Sequence, residues 1–299
     1  MTVGNATERS ATGIAATVRL LRPAHWIKNG FVAAPFLLTP GAWSWPTAVS
    51  VLLGVVAFSL LASTVYVLND YMDRDADRRH PVKRMRPIAS GTIRPTTAAI
   101  LGGAVAAAGL GLALYLGTGF AALAVAYLLL NLAYCLRLKQ VAIVDVLIVA
   151  FGFILRVEAG AVVAGVQASA WIVIMTGLLA LFIALAKRRD DLVMEIGRDH
   201  RGSLEGYTKP FLDQAMTLVL GALLAAYLVY TTDQQVMERL GTGNVFYTAP
   251  FVVAGILRYL QIALVEERSG SPVRLILSDP FLIAAVSGWA ITFALVIHL

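Results

Sequence analysis

Asparagine and aspartate side chains recur at four-residue intervals directly after a long apolar run, at Asn69, Asp73 and Asp77. If the apolar helix continues past the membrane face, these side chains form one stripe, because residues four apart are neighbours on a helix. Oxygen ligands in a stripe suit Mg²⁺, which keeps several waters and bridges to substrate phosphates. The spacing therefore predicts a catalytic metal site, with Asp70 beside it as a substrate contact.

The alternative for this segment is a solvated loop whose aspartates pair with Arg74, Arg78 and Arg79. Four aspartates at the end of an apolar helix are more than helix capping requires, and Asn69 lies where an apolar residue would be expected. We therefore favour metal binding.

Cations follow the aspartates at Lys83, Arg84 and Arg86. Side chains that clamp phosphate oxygens are the expected complement of a metal stripe, so Lys83 and Arg86 are candidate substrate contacts. The same residues also fit a role in setting membrane topology.

A second charged segment begins with Lys187 and Arg188 and carries acids at Asp191, Glu195 and Asp199, again four residues apart. Lys187 and Arg188 emerge directly from an apolar run and would face a shared central site if the two charged segments converge, as in repeat-built membrane proteins. The alternative is anchoring at the membrane surface. Asp191 is the candidate for a further metal ligand.

Several polar residues interrupt the apolar runs. Asp145 and Arg156 are eleven residues apart, close to three helical turns, and so share one helix face. Ionisable residues within a membrane bundle are usually functional, although a structural ion pair or polar network, complicated by Glu158, is the alternative. Arg22 and Trp26 at the entry of the first apolar segment fit interfacial anchors, and Lys28 and Asn29 lie one turn deeper, where a polar pair is less easily explained.

Tyr134 and Lys139 bracket the turn between two apolar segments. This position makes both residues candidate substrate contacts. His80, beside Pro81, has no partner at a spacing that would bind zinc.

The composition places these residues in a membrane protein. Of 299 residues, 59% are hydrophobic and 14% charged, which leaves too little polar surface for a water-soluble globule of this size. Apolar stretches approach the roughly 20 residues that a membrane-spanning helix needs, so the expected fold is an all-α helical bundle. A single cysteine, Cys135, excludes an intrachain disulfide.

The apolar stretches predict about nine spans within one domain, residues 19–299, preceded by a disordered cytosolic tail over residues 1–18. Pro35 and Pro40 make the first span the weakest prediction. The nine predicted spans are 27–45, 47–68, 96–116, 119–136, 141–164, 169–186, 211–231, 246–264 and 279–298.

The distribution of positive charge predicts the topology. With nine spans, 21 of the 24 Lys and Arg residues fall on the side of the N-terminus and of the charged loops 69–95 and 187–210. The positive-inside rule makes that side cytoplasmic. It also explains the formal net charge of +6 by membrane topology, so nucleic acid is not an expected partner.

The motif Asn69-Asp70-x-x-Asp73-x-x-x-Asp77, followed by Arg86-Pro87-Ile88-Ala89-x-Gly91, resembles the UbiA-type intramembrane prenyltransferase superfamily. The resemblance implies nine helices around a central cavity, two Asp-rich motifs on the cytoplasmic side and Mg²⁺ that holds a diphosphate. The second motif usually has two aspartates four apart, whereas this chain has Asp191 and Glu195.

Further motifs resemble the branch of that superfamily that transfers 5-phosphoribose to lipid. They are Arg22-Pro23-x-x-Trp26-x-Lys28-Asn29, Lys83-Arg84-x-Arg86-Pro87, Leu155-Arg156-x-x-Ala159-Gly160, Lys187-Arg188 and Ser203-Leu204-x-x-Tyr207. This resemblance implies a bacterial plasma-membrane enzyme with 5-phosphoribosyl diphosphate as donor, a decaprenyl-type polyprenyl phosphate as acceptor, and a cell-wall arabinan precursor as product. It also makes Tyr207 a substrate-binding residue.

Two other functions remain open. A prenyltransferase that moves an isoprenyl group to an aromatic or other small acceptor would share the metal site. A lipid or ion transporter would need its acids near the bilayer midplane, whereas most acids here are predicted at the cytoplasmic face. A homo-oligomer is compatible with the sequence but not required by it.

Overall fold

The computed structural model describes residues 4–193, 202–267, 275 and 278–298, and these contain helices and turns but no strand. The α-helices are α1 (Gly4–Leu21), α2 (Ala34–Leu37), α3 (Trp45–Met72), α4 (Arg74–Arg79), α5 (Pro95–Tyr115), α6 (Thr118–Leu136), α7 (Val144–Ala164), α8 (Ala170–Val193), α9 (Lys209–Thr232), α10 (Gln234–Leu240), α11 (Ala249–Leu260) and α12 (Pro280–His298).

Within the described residues, eight helical segments are long and apolar enough to cross a membrane. They are α3, α5 to α9, the segment Asn244–Val265 that contains α11, and α12. The predicted all-α membrane fold is confirmed.

The segment predicted as the first span, residues 27–45, is not one continuous helix. It contains part of a 3₁₀ segment, Pro23–Ala33, then α2 and a second short 3₁₀ turn, Pro40–Ala42. Pro35 and Pro40 each lack the backbone N–H that an α-helix interior needs, which explains the interruptions. The described helices therefore account for eight of the nine predicted spans, and one of these, Asn244–Val265, combines α11 with a 3₁₀ and a π-helical turn.

Residues 4–21 form α1, which overlaps the tail predicted as disordered over residues 1–18. Ala16 and Leu20 are four residues apart, so they share one helix face, and both are buried against Val67 and Ile88. The apolar residues at the end of α1 therefore pack against α3 and the loop that precedes α5.

Two spans extend beyond their predicted cytosolic ends. The predicted span 47–68 continues to Met72, and the predicted span 169–186 continues to Val193. Both extensions begin with polar or charged residues, Asn69-Asp70 and Lys187-Arg188, which apolar length alone does not detect. The beginnings of the two loops predicted over 69–95 and 187–210 are therefore helical.

The chain forms two compact units, one of residues Met1–Leu138 and Gly152–Ala168, the other of residues Lys139–Phe151 and Ser169–Leu299. In the first unit, Phe58 packs edge-on against Phe120, with Tyr127 also in contact. Gly160 allows the backbone of Val32 to approach, since a Cβ at Gly160 would lie 1.9 Å from the Val32 carbonyl oxygen.

The second unit packs α8 against α9, with Leu185, Leu212 and Met216 in its core. Phe182 contacts Tyr259 of α11 at a ring-centroid distance of 4.8 Å. A π-helical turn, Gln261–Val265, follows α11.

Candidate active site

The metal-binding stripe predicted from sequence lies in the first unit at the junction of α3 and α4. Asp73 N donates to the Asn69 carbonyl at 2.9 Å, and Asp77 N donates to the Asp73 carbonyl at 2.8 Å. These i to i+4 bonds keep helical register across the junction, although α3 ends at Met72. The backbone therefore places Asn69, Asp73 and Asp77 on successive turns, as predicted.

A buried network of two arginines and two aspartates adjoins this stripe. Arg22 Nη2 donates to Asp70 Oδ1 at 2.6 Å, and Arg86 Nη1 donates both to Asp70 Oδ1 at 3.0 Å and to Asp77 Oδ2 at 2.8 Å. Asp70 and Asp77 are only 1% and 3% exposed. Asp70 is thus held between two guanidinium groups and positions Arg86, and its predicted role as a substrate contact stays a prediction.

The stripe fits Mg²⁺ by the chemistry of its ligands. Among the residues that the structure describes, no group of three or more His, Cys, Asp or Glu side chains is arranged to hold a metal ion. An ion here would rely on one amide, two carboxylates, water and substrate phosphate oxygens, a set that Mg²⁺ commonly uses. Asp77 would have to share its carboxylate between the ion and Arg86.

The turn after α4 is organised by His80. Its Nδ1 accepts hydrogen bonds from the backbone N of Val82 and of Lys83, at 3.1 and 3.2 Å. His80 therefore shapes the loop that carries Lys83 and Arg86.

The end of α6 lies beside the stripe. Cys135 Sγ is 3.9 Å from Asn69 Oδ1, and Tyr134 is half-buried on the same helix. The contact brings the predicted Tyr134 into the neighbourhood of Asn69 within the first unit.

A second polar network lies deeper in the first unit, around Arg156. Arg156 donates from Nε to Asn29 Oδ1 at 2.8 Å, from Nη1 to the Gly152 carbonyl at 2.7 Å and from Nη2 to Tyr127 OH at 3.0 Å. Asn29 is fully buried and also donates to Ser59 Oγ at 3.0 Å. The predicted residues Asn29 and Arg156 thus contact each other directly.

The second unit contains a network centred on Asp145. This side chain is 0% exposed and accepts hydrogen bonds from Arg188 Nε at 2.5 Å, Ser203 Oγ at 3.1 Å and Tyr207 OH at 2.7 Å. Asp145 therefore positions Arg188, and its role as a substrate contact stays a prediction.

Tyr207 connects the Asp145 network to a strained turn at Ile143. Ile143 has φ of +69°, which is unfavourable for a β-branched residue, and its N–H donates to Tyr207 OH at 2.6 Å. Burial, and then the hydrogen bond to Asp145, raises the pKa of Tyr207. The hydroxyl therefore keeps its proton and remains able to donate to Asp145.

Other residues of the second charged segment lie within the described part of the chain. Lys187 is exposed, whereas Lys139 and Asp191 are half-buried, and Arg188 Nη1 approaches Asp191 Oδ2 at 3.4 Å. Glu195 and Asp199 lie outside the described residues.

The structure distributes the predicted site residues between the two units. The first unit contains Lys28, Asn29, Asn69, Asp70, Asp73, Asp77, Lys83, Arg86, Tyr134 and Arg156, and the second contains Lys139, Asp145, Lys187, Arg188, Asp191 and Tyr207.

Two participants were not predicted as site residues. Arg22 was interpreted as an interfacial anchor, and Ser203 appeared only within a family-like motif. Arg22 adopts a left-handed conformation with φ of 53°, which a sequence does not reveal. The Ser203-Leu204-x-x-Tyr207 motif was the available signal for Ser203.

Comparison with known proteins shows to which family the chain belongs. The model of the UbiA prenyltransferase family matches residues 30–274, most of the chain. The chain belongs to the UbiA prenyltransferase family. It is therefore a transferase, and the resemblance inferred from the Asp-rich motif is confirmed.

Sequence relatives of this UbiA family member include three enzymes named decaprenyl-phosphate phosphoribosyltransferase. The Corynebacterium glutamicum enzyme is 33% identical over 290 residues, covering 94% of this chain and 86% of its own. The Mycolicibacterium smegmatis enzyme is 33% identical over 298 residues, covering 95% and 93%. The Mycobacterium tuberculosis enzyme is also 33% identical over 298 residues, covering 96% and 95%.

Solved structures show the same fold. A UbiA homologue from Archaeoglobus fulgidus, bound to DMAPP and Mg²⁺, has a TM-score of 0.70 at 21% identity, with 95% of this chain and 99% of that chain covered. A digeranylgeranylglyceryl phosphate synthase has a TM-score of 0.68 at 14% identity, with 95% and 98% covered.

Proposed function

We propose that this UbiA family member transfers 5-phosphoribose from 5-phosphoribosyl diphosphate to a decaprenyl-type polyprenyl phosphate. The observation that carries the proposal is the similarity, over more than nine-tenths of this chain, to enzymes named decaprenyl-phosphate phosphoribosyltransferase. A product of this kind would serve as a precursor of cell-wall arabinan.

The charge of the candidate site supports a phosphosugar donor. A ribose with a 5-phosphate in addition to its diphosphate brings more negative charge than a prenyl diphosphate does. Cationic side chains are plentiful in both charged segments, and Arg86 and Arg188 are each fixed by buried carboxylates. Guanidinium groups fixed in this way are suited to phosphate oxygens.

Asn69, Asp73 and Asp77 are the proposed ligands of Mg²⁺, and Asp191 is a proposed further ligand. When bound, the ion would neutralise negative charge on the leaving diphosphate. The Asp70–Arg86–Asp77 contacts would set the position of the Asp77 carboxylate toward the ion and of the Arg86 guanidinium toward the substrate.

The proposed reaction is a substitution at C1 of the ribose. An oxygen of the acceptor phosphate forms a bond to C1, and the bond between C1 and the diphosphate oxygen breaks. The acceptor phosphate is already anionic, so no strong general base is needed. The protein would contribute by positioning and by electrostatic stabilisation, with Lys83, Lys139, Lys187 and Tyr134 as further candidate substrate contacts.

Positive charge supports a site that faces the cytoplasm of a bacterial plasma membrane. The loops with the candidate ligands contain most of the Lys and Arg residues, which the positive-inside rule places in the cytoplasm. A water-soluble donor would then reach the site from the compartment in which it is made.

A prenyltransferase is the second candidate, because the Archaeoglobus fulgidus homologue has been solved with the prenyl diphosphates GPP and DMAPP. Competition binding separates the two donors. If the proposal holds, the purified protein binds labelled 5-phosphoribosyl diphosphate in the presence of Mg²⁺. Unlabelled 5-phosphoribosyl diphosphate then displaces the label, and geranyl diphosphate does not. Displacement by geranyl diphosphate alone would support the prenyltransferase.

A further inference from the structure

The segment that follows α1 is bonded to α3 at three levels within the first unit. Three of its side chains each donate a hydrogen bond to a polar side chain of α3: Arg22 to Asp70 at 2.6 Å, Trp26 to Ser63 at 3.0 Å and Asn29 to Ser59 at 3.0 Å. Residues later in the segment meet residues earlier in α3, so the two run antiparallel. The segment is therefore fixed along the helix that ends at the aspartate stripe, and Arg22 makes the contact nearest to the stripe.

Arg22 has a backbone conformation that favours glycine. It follows the last residue of α1 with φ of 53° and ψ of 57°, a left-handed conformation that residues with a Cβ adopt rarely. The turn is held by hydrogen bonds from Arg22 N to the Val18 carbonyl at 3.1 Å and from Ser63 Oγ to the Leu21 carbonyl at 2.8 Å. An arginine at such a position indicates that its side chain has a role that offsets the backbone cost.

The Arg22 side chain reaches the two buried aspartates beside the stripe. Arg22 Nη2 and Arg86 Nη1 both donate to Asp70 Oδ1, and Arg86 Nη1 also donates to Asp77 Oδ2. The guanidinium group of Arg22 lies 5.0 Å from the ring centroid of Tyr66, which fixes its direction. Both carboxylates are buried, whereas both arginine side chains are partly exposed.

Arg22 balances the charge of this set. Two guanidinium groups face two carboxylates, so the four charges cancel. Without Arg22, both aspartates would compete for Arg86 alone, and one buried negative charge would stay uncompensated. Such a charge beside an anionic substrate would weaken the attraction between Arg86 and phosphate oxygens.

We infer that Arg22 is a positioning residue for the diphosphate group of the substrate, because it compensates the charge of Asp70 and so leaves Arg86 oriented and available. Among the described residues, the hydrogen bonds of Arg86 use Nη1 alone, so Nε and Nη2 can donate to phosphate oxygens. Arg22 acts through Asp70 and need not touch the substrate. The inference rests on the proposed function in placing a diphosphate beside the stripe.

The test is equilibrium binding of inorganic diphosphate, at saturating Mg²⁺, to the purified full-length protein in detergent. For Arg22→Gln we expect the Kd of diphosphate to rise about tenfold, since a buried carboxylate loses its partner. Arg22→Lys keeps the charge and should restore part of the affinity. Arg19→Gln is the matched control, because Arg19 is exposed in the last turn of α1 and its loss changes the net charge equally. Its Kd should equal that of the wild type.

A second substitution separates this role from a structural one. Asp70→Asn removes the charge that Arg22 compensates, and the amide oxygen can still accept a hydrogen bond from Arg86. The double variant Arg22→Gln with Asp70→Asn should therefore bind diphosphate within about threefold of the wild type, even if Arg22→Gln alone folds too poorly to be measured. If Arg22 only held the turn after α1, the double variant would bind no better than the single one.

Two results would overturn the inference. One is an unchanged Kd in Arg22→Gln. The other is a double variant that binds diphosphate no better than Arg22→Gln, or about tenfold more weakly than the wild type.

The outcome is separable from the proposed function, because phosphoribosyl and prenyl transfer both release diphosphate. If the wild-type protein transfers no phosphoribose but Arg22→Gln and the double variant behave as expected, the proposed function fails and the role of Arg22 stands. If phosphoribose is transferred and Arg22→Gln binds diphosphate as the wild type does, the role of Arg22 fails alone.

Discussion

Removing the Asp145 carboxylate should destabilise the protein strongly. Asp145→Ala deletes the acceptor of three side-chain hydrogen bonds and leaves Arg188, 3% exposed, without its closest carboxylate. Breaking a buried ion pair by removing one partner costs about 3–5 kcal/mol. We expect a loss of this size in the free energy of unfolding.

A second substitution should relieve much of that loss. In Asp145→Ala with Arg188→Met, the orphaned charge is replaced by an apolar side chain of similar length. Replacing both partners of a buried pair is often far less costly than removing one, so the double variant should be more stable than Asp145→Ala by at least about 1 kcal/mol.

The assay is reversible unfolding of the wild type, the two single variants and the double variant in the same detergent. Losses that simply add, with the double variant the least stable of the four, would refute the interpretation of Asp145 as the partner that holds Arg188.

Activity of the same double variant distinguishes structural from functional roles. Because Arg188 is proposed to contact substrate phosphate, recovery of stability should occur without recovery of turnover. Turnover that returns together with stability would remove Arg188 from the proposed substrate contacts.

Three further outcomes are expected. Asp73→Asn and Asp77→Asn should each abolish turnover while thermal unfolding stays near that of the wild type, and near-normal activity in either would remove the stripe from the mechanism. The raised pKa of Tyr207 means that the folded state keeps the phenol proton to higher pH than the unfolded chain. The stability difference between wild type and Tyr207→Phe should therefore be constant below about pH 10 and shrink above it, and a difference that grows there would contradict this. Gly160→Ala should lower the unfolding temperature markedly, because its Cβ would meet the Val32 carbonyl at 1.9 Å, whereas Gly221→Ala, with nothing within 4 Å, should not.

Much of the membrane fold could be predicted because apolar length is a direct consequence of bilayer thickness. The eight helical spans lie within a few residues of the predicted ones, apart from extensions such as the end of α8. The interrupted segment around Pro35 and the helix α1 could not be predicted in the same way. Helix α1 depends on Leu20 packing against residues distant in sequence.

The candidate site was predictable only where the spacing is local. Four-residue intervals correctly predicted the helical register of Asn69, Asp73 and Asp77, because backbone hydrogen bonds act over the same distance. The partners of the buried acids were not predictable, since the Arg22–Asp70 pair spans 48 residues. Long-range packing decides which acids are enclosed and which remain available to a ligand.

The most direct test of the proposed function follows the ribose. Purified protein is incubated with 5-phosphoribosyl diphosphate labelled in the ribose, a polyprenyl phosphate and Mg²⁺, and the lipid fraction is then analysed by mass and by label. We expect labelled phosphoribosyl lipid from the wild type, and none from Asp77→Asn or without a divalent cation. A lipid fraction that stays unlabelled across several polyprenyl phosphates would contradict phosphoribosyl transfer.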